Sequence, residues 1–266
     1  MSALLLPILC YHHVGVRVEP HGHRHLWVSA ERFAEQVALL AGAGYQGLAL
    51  RDCVPFLREG KRPPARSVVL TFDDAYLNFF EHALPVLKRH QFSGTVFVAT
   101  GEVGGVSRWD PGFESPTMTW TQLREVHEAG IECASHTISH PRLPQTPAAQ
   151  AKHELTASRM ELEDRLGAKV RTIAYPFGHF DASVERLADE AGYDLACTIL
   201  RGNRHAAGDR LRLKRVPVTQ YTSAKKLRYR LGPLYDLSCK LRRAKERLLD
   251  GAMRMIGKTP AHSPHL

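Results

Sequence analysis

The sequence has no Cys-x-x-Cys pair, no low-complexity tract, no internal repeat and no uncharged stretch long enough to cross a bilayer. Its five cysteines, Cys10, Cys53, Cys133, Cys197 and Cys239, are odd in number and widely spaced. That pattern argues against a disulfide framework or a structural zinc knuckle, so each is expected as a small buried hydrophobe or a free thiol in a reducing compartment. The longest uncharged stretches, Ser2–Val16 and Val37–Leu50, fall short of the roughly 20 residues a spanning helix needs. The apolar N-terminus has neither a basic leader segment nor a small-residue cleavage site, and it runs straight into Tyr11, His12 and His13. It is therefore expected to be the first strand of the mature fold and not a signal peptide.

What is present is an ordinary globular composition, 44% hydrophobic and 24% charged, in 266 residues, enough for one large α/β domain. The net charge of +9 is unevenly placed. Between Lys225 and Lys258, eleven lysines and arginines stand against Asp236, Glu246 and Asp250, a local balance of +8 that leaves the rest almost neutral. The expectation is a main domain over 1–222 and a basic helical extension over 223–266. Leu227, Leu231, Leu234, Leu241, Leu248 and Met255 are spread among those charges, and Gly232-Pro233 should break the extension into two helices. A basic amphipathic helix of this kind suits peripheral contact, through 225–258, with an anionic membrane surface. The competing reading is that its leucines pack back onto the main domain. Nucleic acid is excluded as a partner, because the charge is confined to one tail whose only aromatics are Tyr229 and Tyr235.

Along the main domain, short β-branched runs alternate with segments of helical period, which predicts βα units and a parallel sheet or barrel. Strands are expected at Leu5–Cys10, Ser67–Phe72, Gly94–Ala99, Ile131–Ser135, Val170–Tyr175, Tyr193–Ile199 and Leu211–Val218. Helices are expected after Ser29, over Tyr76–His90, Trp120–Ala129, Pro147–Leu166 and Ala182–Ala191. Gly101–Thr119 reads as a long loop, a common seat of function in compact domains.

Three polar clusters fall where strands end, the edge at which parallel α/β folds gather their active sites. In Thr71-Phe72-Asp73-Asp74, two adjacent carboxylates on extended backbone project to different sides. One can ligate a metal while the other faces a water, although a helix N-cap followed by a first-turn acid reads the same way. In Ser135–His140, His136 and His140 lie four apart, which on a helical turn lets both rings converge on one cation. With one Asp they make a facial set that leaves positions open for water. Tyr175-Pro176-Phe177-Gly178 is a turn set by Pro and Gly, able to aim a backbone N–H at a developing oxyanion.

The order of these three motifs resembles the polysaccharide deacetylase family, also called the NodB-homology or carbohydrate esterase 4 family, over about residues 5 to 220. The resemblance implies an α/β fold, a distorted (β/α)7 barrel with the C-terminal basic helical extension appended. It implies Asp73 as general base, Asp74, His136 and His140 as ligands of a divalent metal (zinc, with cobalt or nickel as alternatives), and Tyr175 as the source of the oxyanion-hole N–H. Two departures stand out. Ala75 follows the two aspartates where the family usually has Gly, and the late-motif histidine is replaced by Arg215, Val216, Pro217 and Val218. Pro7–Cys10 followed by Tyr11 and His12 is similar to the permuted branch of the family, which includes poly-N-acetylglucosamine deacetylases and carries the catalytic histidine on the first strand. That makes His12 the general acid and His13 a structural or rim residue. Arg215 either contacts Asp73 and holds it ionised or is a surface arginine.

The function implied is hydrolysis of an N-acetyl group on a glycan or lipid-linked sugar, in the cytoplasm and peripheral on the inner membrane face. Another amidohydrolase, such as a deformylase, would use the same metal site. A non-catalytic glycan- or membrane-binding module would not need both carboxylates and both histidines.

Overall fold

The computed structural model describes residues 3–15 and 26–255. Seven parallel strands close into a barrel: β1 (Ile8–Tyr11), β2 (Ser67–Phe72), β3 (Thr95–Val98), β4 (Glu132–Ser135), β5 (Thr172–Ala174), β6 (Leu195–Arg201) and β7 (Leu213–Pro217). Each pairs with its neighbours in chain order, and β1 closes the ring by pairing with β7 on one side and β2 on the other. The expected seven-stranded α/β barrel is therefore the observed one. A further short strand, Gln46–Leu48, lies beside the start of β2 and escaped the sequence reading. Its centre is Gly47, where a side chain would collide with the Phe92 ring.

The side-chain period of two in a strand sorts the residues into layers. Inward go Ile8, Val69, Phe97, Ala134, Ala174, Leu195 and Leu213, which form one apolar plug. Outward go Leu9, Tyr11, Leu70, Phe72, Val96, Val98, Ile173 and Val216, which pack under the helices. At the amino-terminal end of the barrel the buried Glu132 carboxylate accepts hydrogen bonds from Thr95 and Thr172 Oγ1, at 2.8 and 2.7 Å, and from the Arg51 N–H. The inward positions at the carboxy-terminal end are where the site is built.

The shell consists of α1 (Ala30–Gly42), capped by the Ser29 hydroxyl, then α2 (Leu84–Arg89), α3 (Trp120–Glu128), α4 (Ala148–Leu166) and α5 (Ala182–Glu190). The helix expected over Tyr76–His90 starts late. Asp74 and Ala75 have left-handed φ values of 74° and 51°, and Phe79–Ala83 is a π turn that hands over to α2 just before Pro85. Proline has no N–H for the i−4 carbonyl, so the hydrogen-bond ladder slips by one residue ahead of it.

Two helices follow the barrel, α6 (Ala224–Leu231) and α7 (Leu234–Met255), separated at Gly232-Pro233 as expected. Their leucines divide into a packed set and an exposed set. Leu227, Leu231, Tyr235 and Cys239 are buried in the outer core, and Gln36 Nε2 donates to the Thr222 carbonyl at 3.0 Å. Leu234, Leu237, Leu241 and Leu248 are exposed. Met255 ends α7, and its side chain lies outside the described residues. Among the described residues no helix is long and apolar enough to cross a membrane.

Phe97 is fully buried in the plug, below the rings and charges of the site. Phe97→Ala should cost roughly 3–5 kcal/mol. The check is the urea midpoint, with an unchanged m-value showing that the native barrel is still what unfolds.

Candidate active site

The inward alternation that fills the barrel continues past its apolar plug into polar residues: Ile8, Cys10, His12 on β1; Val69, Thr71, Asp73 on β2; Ala134, His136 on β4; Leu213, Arg215 on β7. The Asp73 N–H donates to the Tyr11 carbonyl at 3.0 Å and the His136 N–H to Val98 at 2.8 Å, so both residues still ride on the strand ladder. The four side chains therefore meet at one mouth.

Arg215 is a buried clamp and not a surface arginine. Its Nη1 and Nη2 donate to the two oxygens of Asp73 at 2.6 and 2.7 Å, with further bonds to Thr71 Oγ1 and the Thr198 carbonyl. Burial alone would raise the Asp73 pKa. The Arg215 charge and its hydrogen bonds, with His12 and His136 behind them, outweigh that and hold the carboxyl below its ordinary range. His12 Nε2 lies 3.7 Å from Asp73 Oδ2, so the first-strand histidine does reach Asp73. Burial lowers the His12 pKa, while Asp73 and Asp74 pull it back up. His13 faces the other way, sandwiched between the Trp27 and Tyr76 rings, with Asn78 hydrogen-bonded to its Nδ1.

Beside this pair, Asp74 Oδ1 lies 3.5 Å from His136 Nε2 and 3.4 Å from His140 Nε2. These separations are long for hydrogen bonds, and Oδ1 is buried with no hydrogen-bond partner. They match the spacing of about 3.3 Å between ligands of a tetrahedral ion with bonds of about 2.0–2.1 Å. His136 Nδ1 is hydrogen-bonded to the Ala174 carbonyl at 2.7 Å, which fixes the tautomer that turns a lone pair on Nε2 toward Asp74. Burial, reinforced by the neighbouring His136, pushes His140 down to about 3, and neutral imidazole is the metal-binding form. The donor set fits a divalent cation.

The way the histidines converge differs from the expectation. Residues 136–140 are not a helical turn: Thr137 and His140 have φ values of 69° and 56°. Glu154 on α4 holds this irregular loop, accepting the Ile138 and Ser139 N–H groups at 2.8 and 3.0 Å and the Ser139 hydroxyl at 2.6 Å. Glu154 went unnoticed in the sequence. Its signal was a carboxylate in register with the buried Ala151, Leu155, Ser158 and Leu162 of a helix with a polar exterior.

Tyr175 does not supply the oxyanion N–H. Its N–H is committed to the Cys197 carbonyl at 3.1 Å and its hydroxyl to the Leu211 carbonyl at 3.0 Å, so it belongs to the outer core. Pro176 has no N–H. The next one, that of Phe177, finds no acceptor among the described residues, and Phe177 has φ 55° with its ring 4.5 Å from His140. The long loop reaches the same ring from the other side, where Trp109 stacks on His140 at 4.3 Å.

The polysaccharide deacetylase sequence profile matches residues 60–196. YxkH of Bacillus subtilis (strain 168) is 28% identical over 193 residues, 73% of this chain and 64% of YxkH. The poly-beta-1,6-N-acetyl-D-glucosamine N-deacetylase of Staphylococcus aureus (strain N315) is 29% identical over 161 residues, 57% of this chain and 53% of that protein. The chain thus spans between half and two thirds of these relatives. Among solved structures, the Streptococcus pyogenes deacetylase PplD in complex with acetate superposes with a TM-score of 0.78 at 26% identity, covering 87% of this chain and 100% of PplD. IcaB from Ammonifex degensii gives 0.71 at 26% identity, covering 87% and 98%.

Arg215→Gln leaves Asp73 buried without its counter-charge, which should cost about 3–5 kcal/mol. Because Arg215 depresses the Asp73 pKa, the acid limb of kcat/KM measured on the folded variant at saturating metal should move to higher pH. A limb that stays in place would show that Arg215 does not set the ionisation of Asp73.

Proposed function

The chain belongs to the polysaccharide deacetylase family, and from that premise we propose that it hydrolyses the N-acetyl group of an amino sugar in a glycan or glycolipid, releasing acetate and a free amine. The observation that carries this reading is the meeting of an ionised base and an imidazole, Asp73 and His12 at 3.7 Å, next to a three-ligand Asp-His-His set. A divalent cation held by Asp74, His136 and His140 would polarise the amide carbonyl and lower the pKa of a water. Two imidazoles and one carboxylate suit zinc, with cobalt and nickel as alternatives.

Asp73, held ionised and oriented by Arg215, takes the proton of the attacking water. The Phe177 N–H donates to the carbonyl oxygen as charge gathers there. His12 delivers a proton to the departing nitrogen. Burial lowers the His12 pKa on balance, and the Asp73 carboxylate is one of the charges that oppose this. Once Asp73 has accepted the water's proton that support is gone, and His12 becomes the stronger acid at the stage when the amine needs it.

Asp73→Asn should retain the metal and lose about 100-fold or more in acetate release, the usual range for an acid or base. Metal content and released acid are measured on the same sample, the acid by mass spectrometry. Near wild-type release would overturn the base assignment, and formate in place of acetate would make the enzyme a deformylase on the same machinery.

The C-terminal helices support a membrane-peripheral reading of the substrate. Leu234, Leu237, Leu241 and Leu248 are exposed at helical spacing on α7, with Lys240, Arg242 and Lys245 between them. We propose that this stripe rests on an anionic lipid surface. Truncation at residue 222 would remove the buried Leu227 and Leu231, so the test is Leu237→Gln with Leu241→Gln in the full chain. The variant should lose flotation with anionic vesicles while its Tm holds; equal recovery of both proteins would remove the membrane contact.

A further inference from the structure

On the His12 side, the barrel mouth opens into a cavity of about 100 Å³ that the reaction described above leaves unused. Its apolar walls include Ile199 and Val218, and its polar lining is unusual in sign: His12, Arg201, Arg215, Thr219 and Arg230, with no carboxylate among the described residues. The strand register creates part of this excess. Arg201 at the end of β6 pairs directly with Arg215 on β7, beside a register shift. Like charges set opposite one another across a ladder oppose folding. Asp73 neutralises Arg215 alone.

Arg230 arrives from α6 and donates to the Pro217 carbonyl and, at 3.3 Å, to the Thr222 hydroxyl. These acceptors satisfy its N–H groups without cancelling its charge. Arg201 is half-buried and has no ion-pair partner among the described residues. Two uncompensated guanidiniums around a small, partly apolar cavity are a local conflict that folding alone does not explain. A planar or tetrahedral oxyanion, bound through paired N–H donors, resolves it.

We propose that this cavity is an anion subsite that takes a carboxylate or a phosphate carried by the substrate close to the acetamide-bearing carbon. The cavity is large enough to admit such a group. Its placement beside the leaving amine rests on His12 being the proton donor, as in the proposed function. The substrate class narrows accordingly, from any N-acetylated glycan to one with a negative charge within one sugar of the reacting amide.

The test is direct binding to the full-length chain by calorimetry, with N-acetylglucosamine, N-acetylglucosamine 1-phosphate and N-acetylmuramic acid as probes. At least one charged sugar should bind tenfold or more tightly than the neutral one, and which of them gains separates phosphate from carboxylate. Arg201→Gln should reduce that advantage to within about twofold, whereas Arg201→Lys, which keeps the charge and loses the paired donors, should keep only part of it. Equal affinity for neutral and charged sugars, or an advantage that survives Arg201→Gln, overturns the subsite. Acetate release by the wild-type chain from neutral N-acetylglucosamine oligomers is measured alongside. Its absence would count against deacetylation while leaving the binding result interpretable.

Discussion

The buried ion pair between Arg215 and Asp73 is the contact on which the rest of the site depends. Both side chains are almost fully removed from water, and both oxygens of the carboxylate are taken by one guanidinium. Desolvating two charges costs several kcal/mol per ion, and a well-packed apolar pair of the same volume would serve stability as well or better. The pair is therefore poorly explained as a staple. It does two other things: it keeps Asp73 ionised at the bottom of a nearly dry mouth, and it fixes which carboxylate lone pairs remain for a water. Cys10, whose thiol lies 3.8 Å from Asp73 Oδ2, and Thr71, which donates to the Leu9 carbonyl, fill the remaining space around it. Asp73 can turn only by losing the clamp.

A second constraint lies in the backbone. Of the seven non-glycine residues with positive φ among those described, five are in the site segments: Asp74, Ala75, Thr137, His140 and Phe177. Left-handed backbone costs an L-residue with a Cβ roughly 1–2 kcal/mol. The surrounding bonds over-determine these turns. Glu154 grips the histidine loop, the Ala75 carbonyl accepts from Met118 at 2.9 Å, and Gly101 approaches so closely that a Cβ there would stand 2.9 Å from the Ile138 carbonyl oxygen. Strain concentrated at strand ends, and held by groups that touch no substrate, is what a preorganised metal site requires. Ala75 belongs to this group: at φ 51° a glycine would be free of strain, and a small residue is the next best occupant.

These two constraints separate what the sequence showed from what it hid. The barrel was legible because most of its strands are short apolar or β-branched runs and each polar cluster falls directly after a strand. Asp74, His136 and His140 were legible because carboxylate and imidazole are scarce in such places. Glycine is the usual letter for left-handed backbone, and at five site positions other residues occupy it, so the loop at 136–140 passed for a helical turn. In the third motif the strand ladder takes the Tyr175 N–H. On β5, Thr172 and Ala174 face inward, so Tyr175 faces the outer core, and the N–H left without an acceptor comes two residues later at Phe177.

The last lesson concerns closure. A seven-stranded ring needs its first and last strands side by side, and here β1 lies between β2 and β7 with Leu9 paired to both Leu70 and Val216. Whatever stands past the end of β1 is thereby delivered to the Asp73 carboxylate. With an arginine on β7 in place of the histidine expected late in the chain, an imidazole still reaches the mouth, because His12 occupies the adjoining sector. The exchange is also constrained by reach. Arg215, deep in the barrel, has a side chain long enough to rise to Asp73. His12 sits beyond the end of its strand, partly exposed, where a substrate can arrive. Arginine below and histidine above is the order in which both groups can act on one carboxylate.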